Sequence, residues 1–116
     1  MADLTPSELF DLAHNRGLNA ASSVTPEPMY IQDGNRTFKV TGGPCGFAGV
    51  RIKPARGKLV SWLKANQIGY KAYQGGWYVS CHEFGQSMQL KEVYAREMAA
   101  TFNEHGINAH MESRMD

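Results

Sequence analysis

The sequence predicts an α+β domain whose main elements follow the order strand, helix, hairpin, helix, strand. Three observations carry this reading. Apolar residues alternate with period two over 47–53, Gly75-Gly76 separates two aromatic-rich runs, and apolar residues recur every three or four positions from Ser87 to His105. Together they describe a ferredoxin-like β-α-β-β-α-β core over residues 44–116, preceded by an N-terminal helix and β-hairpin extension over 1–43.

The first helix is announced by Thr5-Pro6-Ser7-Glu8. This is a capping box, in which the Thr5 hydroxyl and the Glu8 carboxylate each satisfy a free backbone N–H, with proline at the first helical position. Leu4 and Leu9 have the spacing of a hydrophobic staple, and Gly17 is the expected stop. Residues 19–28 read as a linker, and Met29 to Val40 as two short strands around Asp33-Gly34. The run Thr41-Gly42-Gly43-Pro44-Cys45-Gly46 reads as a turn ahead of the core.

In the core, Ala48, Val50 and Ile52 alternate with Phe47, Gly49 and Arg51 in a strand that Pro54 ends. Leu59, Val60, Trp62 and Leu63 give an apolar face to a helix over 55–66. Ile68 to Gln74 and Trp77 to Phe84 are the hairpin strands. Leu90, Val93, Tyr94, Met98 and Phe102 define the longest helix, stopped by Gly106, with Lys91, Glu92, Arg96 and Glu97 on its solvated side. Ile107 to about Glu112 is the last strand, followed by a polar tail from Ser113 to Asp116. Right-handed crossovers place both core helices on one face of a four-stranded sheet. The other face stays open unless the first forty residues cover it.

At 116 residues the chain has the size of one domain. Twelve Lys and Arg against eleven Asp and Glu leave a net charge of +1, so an anionic partner must be held by a local patch. The N-terminus has no signal-peptide pattern and no run is apolar enough to cross a bilayer, so a cytoplasmic protein without a membrane partner is expected. Cys45 and Cys81 carry neither CxxC spacing nor a disulfide pattern. No cofactor or catalytic motif stands out, and neighbouring Cys81 and His82 would point to opposite sides of a strand, so no metal site is predicted.

The chemistry-bearing residues gather on the open face. The set opposite the helices is Phe47, Arg51, Lys53, Lys71, Tyr73, Tyr78, Ser80 and His82, with Asn108 and His110 from the last strand. Rings interleaved with cations suit either a protein interface or single-stranded nucleic acid, where rings stack on bases and cations hold phosphates. The strand Trp77-Tyr78-Val79-Ser80-Cys81-His82 lacks the glycine and paired aromatics of the usual RNA-binding signature. Aromatics on such a face also pack beneath a covering segment. A second cluster, Lys53, Arg56 and Lys58, puts three cations at a helix start, where a bound anion would relieve the repulsion.

The segments Pro44-Cys45-Gly46-Phe47-Ala48, Lys53-Pro54-Ala55-Arg56-Gly57-Lys58, Gln86-Ser87-Met88 and Ser113-Arg114-Met115-Asp116 resemble a family of small uncharacterised proteins of tailed bacteriophages. The resemblance covers about Gly43 to Asp116, and Gly49 departs from the bulkier residue associated with that strand. It implies no activity and no catalytic residue, but it does imply a setting, the host cell cytoplasm. The expectation is therefore a small non-enzymatic binding module that recognises a host or phage macromolecule. One alternative is single-stranded nucleic-acid binding on the open face. Another is a small enzyme or nucleotide-binding protein using Cys45, His82 and the run from Lys53 to Lys58. Edge strands of such a sheet can also pair between copies, which is compatible with a homodimer.

Overall fold

A computed structural model describes residues 4–24, 29–33, 36–40, 46–84 and 87–115. The chain is an α+β protein with three helices and a four-stranded antiparallel sheet. Among the described residues no helix is long and apolar enough to cross a membrane.

Helix α1 spans Pro6–Ser22 and begins as the capping box requires. Thr5 Oγ1 accepts from Glu8 N–H at 3.2 Å, and Glu8 Oε1 accepts from Thr5 N–H at 2.9 Å. These bonds hold the Glu8 carboxyl below its usual range. Gly17 does not stop the helix, which continues five residues further into the expected linker. It is buried instead, and a Cβ there would lie 2.6 Å from Cδ2 of Tyr94. The missing side chain thus serves the close approach of α1 to α3 (Met88–Glu104) rather than a turn. His14 Nδ1 and the Tyr94 hydroxyl share a hydrogen bond in the same contact, and Phe10 packs on Trp62 at 5.5 Å.

Strands β1 (Met29–Asp33) and β2 (Arg36–Val40) pair antiparallel as their own two-stranded sheet. The Asp33-Gly34 turn and the run 41–45, including Cys45, lie at least in part outside the described residues.

The larger sheet contains β3 (Gly46–Ile52), β4 (Tyr70–Lys71), β5 (Trp77–Ser80) and β6 (Ala109–Met115), in the order β4-β5-β3-β6. Helix α2 (Lys58–Ala65) starts three residues later than expected, after Gly57 at φ 106°. It ends with Gln67 in the left-handed region while Ile68 N–H donates to Leu63 O and Gln67 N–H to Lys64 O. The same pair of bonds closes α3, with Gly106 at φ 82°, Ile107 bonded to Phe102 and Gly106 to Asn103. At its other end Ser87 accepts from Leu90 N–H.

The hairpin strands are shorter than the alternation suggested. β4 has only two residues and β5 only four, with Gly75 and Gly76 both at positive φ between them. The tail after Glu112 is no tail: Ser113, Arg114 and Met115 pair with Ala48, Phe47 and Gly46, so β6 extends along the whole of β3. Ser113 and Arg114 gave no apolar signal, but backbone pairing does not require one.

Ala48, Val50 and Ile52 of β3 and Trp77 and Val79 of β5 point into one buried cluster with Leu9 and Ala13 of α1, Leu59, Val60 and Leu63 of α2, and Ala95, Met98, Ala99 and Phe102 of α3. Helix α1 therefore adds to the helical layer. Among the described residues the opposite sheet face is uncovered, with Phe47 44% and Tyr70 55% exposed. One expected solvent contact is reversed: Lys91 is buried, and its Nζ donates to Gly46 O at 3.3 Å.

Candidate functional site: the open sheet face

Gly49 shapes this face. A Cβ there would lie 2.6 Å from the Tyr78 hydroxyl oxygen and 2.5 Å from Val79 O, so the bare glycine lets the Tyr78 ring lie across β3. Tyr70, opposite Tyr78 in the β4–β5 register, packs on it with ring centroids 5.5 Å apart. Burial, helped by Tyr70 and Glu112, raises the Tyr78 hydroxyl above its usual range.

Below the rings lies a fork of charge. Arg51 Nε donates to Glu112 Oε2 at 2.5 Å and Nη2 to Oε1 at 2.7 Å, while Nη1 donates to the Gly75 carbonyl. Such two-pronged pairing is the strongest geometry open to a guanidinium and a carboxylate. The Arg51 side chain is 9% exposed and that of Glu112 is 36% exposed. Hydrogen bonding to Arg51, opposed by burial and helped by His110 at 2.7 Å, brings the Glu112 carboxyl down to about 2. The same bonds push the guanidinium further up.

Phe47 forms the far end. Arg114 lies 5.3 Å and Lys91 5.5 Å from its ring centroid, one on the exposed rim and one buried behind it. Cations over a ring face are attracted to it. The result is a shallow groove of about 500 Å³ between the rings of Phe47, Tyr70, Tyr73 and Tyr78, with the Arg51–Glu112 pair in its floor and Arg114 at its edge.

No family model, curated protein or solved structure matches the chain. The groove must therefore be read from its own chemistry.

Of the residues expected on this face, Phe47, Arg51, Tyr73, Tyr78 and Ser80 line the groove; Lys53, Lys71, His82, Asn108 and His110 do not. Lys71 pairs with Trp77, whose side chain points to the helical side, so Tyr70 takes the open-face position assigned to Lys71. Tyr73 lies beyond the short β4 and is fully exposed. Lys53 and His82 are exposed just past the ends of β3 and β5. Lys53, Arg56 and Lys58 are exposed around the start of α2, whose Gly57 N-cap makes no side-chain bond. Cys45 lies outside the described residues. Cys81 is buried, and that burial pushes its thiol up to about 11, which leaves it a poor nucleophile.

Sequence reasoning missed Tyr70, Glu112 and Arg114. Glu112 and Arg114 fell at or beyond the expected end of a strand, although their spacing of two was a signal that they share a face.

Proposed function

We propose that the chain is a non-enzymatic binding module whose open sheet face recognises a macromolecule, in the first instance a protein. The observation that carries this reading is the groove itself: four aromatic rings exposed or half-exposed around an internally neutralised ion pair. Tyr supplies large contact area at low conformational cost, and Tyr and Arg are enriched among the few residues that dominate protein-interface energetics. Arg51 is committed to Glu112 and Gly75, so the groove centre offers ring surface and hydrogen bonding rather than spare positive charge.

The order β3-α2-β4-β5-α3-β6 and the sheet order β4-β5-β3-β6 support a ferredoxin-like arrangement for the core. The resemblance of its motifs to small tailed-phage proteins supports a phage origin and action in the host cytoplasm.

A photo-crosslinking residue placed at Tyr73 in the infected or expressing bacterium tests the reading. It should yield a discrete adduct that disappears with Tyr78→Ala, while the same residue at the exposed Ala100 of α3 yields none. Equal labelling from both positions, or none from Tyr73, would overturn it.

One observation favours single-stranded nucleic acid as the second reading: the exposed Phe47 ring has the exposed Arg114 guanidinium 5.3 Å from its centroid, the pairing of ring and cation that stacks a base beside a phosphate. Anisotropy of labelled single-stranded DNA and RNA decides it. Binding that weakens steeply with salt and is lost in Phe47→Ala and Arg114→Ala puts nucleic acid first; no binding at low salt removes it.

A further inference from the structure

The two edges of the four-stranded sheet are unequal. β4 offers only Tyr70–Lys71, whereas β6 presents Ala109–Met115, seven residues without proline or lysine. Among the described residues the outer side of β6 has no partner strand. An edge of that length is a template for further pairing.

The ladder determines which groups face outward. Lys53 N–H donates to Asn108 O, and the same register pairs Arg51 with His110, Gly49 with Glu112 and Phe47 with Arg114. Alternation then directs the backbone groups of His110, Glu112 and Arg114 toward β3, and those of Ala109, Met111, Ser113 and Met115 away from it. Ala109 is already satisfied: the Asn103 amide donates to its carbonyl at 2.7 Å, and Asn103 Oδ1 accepts from its N–H at 3.3 Å. The open edge therefore begins at Met111.

We infer that this edge pairs antiparallel with the same edge of a second copy, about a two-fold axis at Ser113, to give a symmetric homodimer with a continuous sheet. In that register Ser113 faces its own copy, Met111 faces Met115, and Glu112 faces Arg114 in both directions. Both Glu–Arg pairs fall at non-hydrogen-bonded positions, where side chains across a ladder are closest, and both lie on the open face. The alternatives are worse. An axis at Glu112 opposes two carboxylates, and an axis at Arg114 opposes two guanidiniums. An axis at Met111 needs the groups of Ala109 that Asn103 already occupies. Among the axes from Met111 to Arg114, charge complementarity and the Asn103 block thus select one. Because Ser113 and Arg114 line the groove, the second copy continues it across the axis. The inference does not depend on what the groove binds.

Sedimentation equilibrium at about 100 µM tests it, since association shifts with concentration. Wild type and Ser113→Ala should sediment at twice the 12.9 kDa chain mass. Ser113→Pro removes an N–H that points away from β3, and Arg114→Glu sets like charges opposite each other; both should sediment at 12.9 kDa with unchanged circular dichroism. In a Cys45→Ser background, Ser113→Cys should oxidise to a covalent dimer and His110→Cys should not. A monomeric wild type, a dimer that survives Arg114→Glu, or equal cross-linking from both cysteines would overturn the inference. Should Ser113→Pro fail to fold, Arg114→Glu still decides.

Discussion

Arg51 and Glu112 meet diagonally across the β3–β6 ladder, and both carboxylate oxygens of Glu112 accept from the one guanidinium. A carboxyl held at about 2 in the folded chain, against an ordinary 4.5, binds its proton more readily once unfolded. Its stabilisation is therefore complete above about pH 4.5 and is lost as pH falls toward 2. Glu112→Gln should be less stable than wild type at pH 7, and the difference should shrink across that interval. Urea titrations at pH 7, 4 and 2.5 measure it; a gap that stays constant with pH would show that the pair adds nothing through charge.

Gly17→Ala should destabilise the chain, against the helix propensity that favours alanine by about 1 kcal/mol. The added Cβ meets the Tyr94 ring at 2.6 Å and the Tyr94 carbonyl oxygen at 3.0 Å. That ring is held by the His14 hydrogen bond and by edge contact with Phe84 at 5.9 Å. Overpacking of this kind costs about 1–3 kcal/mol. Thermal melts that show Gly17→Ala above wild type would mean that α1 can move away from α3 at little cost.

Asn103→Ala removes the amide that bonds Ala99 O and both edge groups of Ala109. The expected loss is about 1–2 kcal/mol, because water can reach the exposed part of the strand. Amide exchange should quicken at Ala109 while Phe102, at the centre of the core, keeps its protection. Uniform quickening along α3 would point to helix fraying instead.

Cys81 should react slowly with a disulfide reagent in the folded Cys45→Ser chain. With its thiol pushed up to about 11, the thiolate fraction at pH 8 is about a hundredfold below that of a thiol at 9. Denaturant should restore ordinary reactivity. The same shift predicts that stability falls as pH rises from about 9 toward 11, since the unfolded thiol ionises first. Fast labelling of the native chain would place Cys81 in contact with solvent.

What could be read from the residues was what local chemistry determines. The capping box of α1, the Gly75-Gly76 reversal and the periodicity of α3 all rest on contacts within a few positions. Gly17 was misread because a glycine at a helix end and a glycine at a helix crossing look alike until Tyr94 is placed beside it. The candidate site was half legible for a related reason. Phe47, Arg51 and Tyr78 belong to strands whose alternation is clear, whereas β4 is two residues long and a single-residue shift exchanges Lys71 for Tyr70 on the open face. Glu112 and Arg114 were obscured by polarity, because the pairing that recruits them to the sheet is made by backbone groups.

The third bond of Arg51, from Nη1 to the Gly75 carbonyl, gives the guanidinium a mechanical role. It ties the tip of the β4–β5 hairpin to the C-terminal strand across the width of the sheet, like a strut between two walls. The Gly75 carbonyl and the Glu112 carboxylate thus share one donor group, so Arg51→Ala removes both anchor points at once.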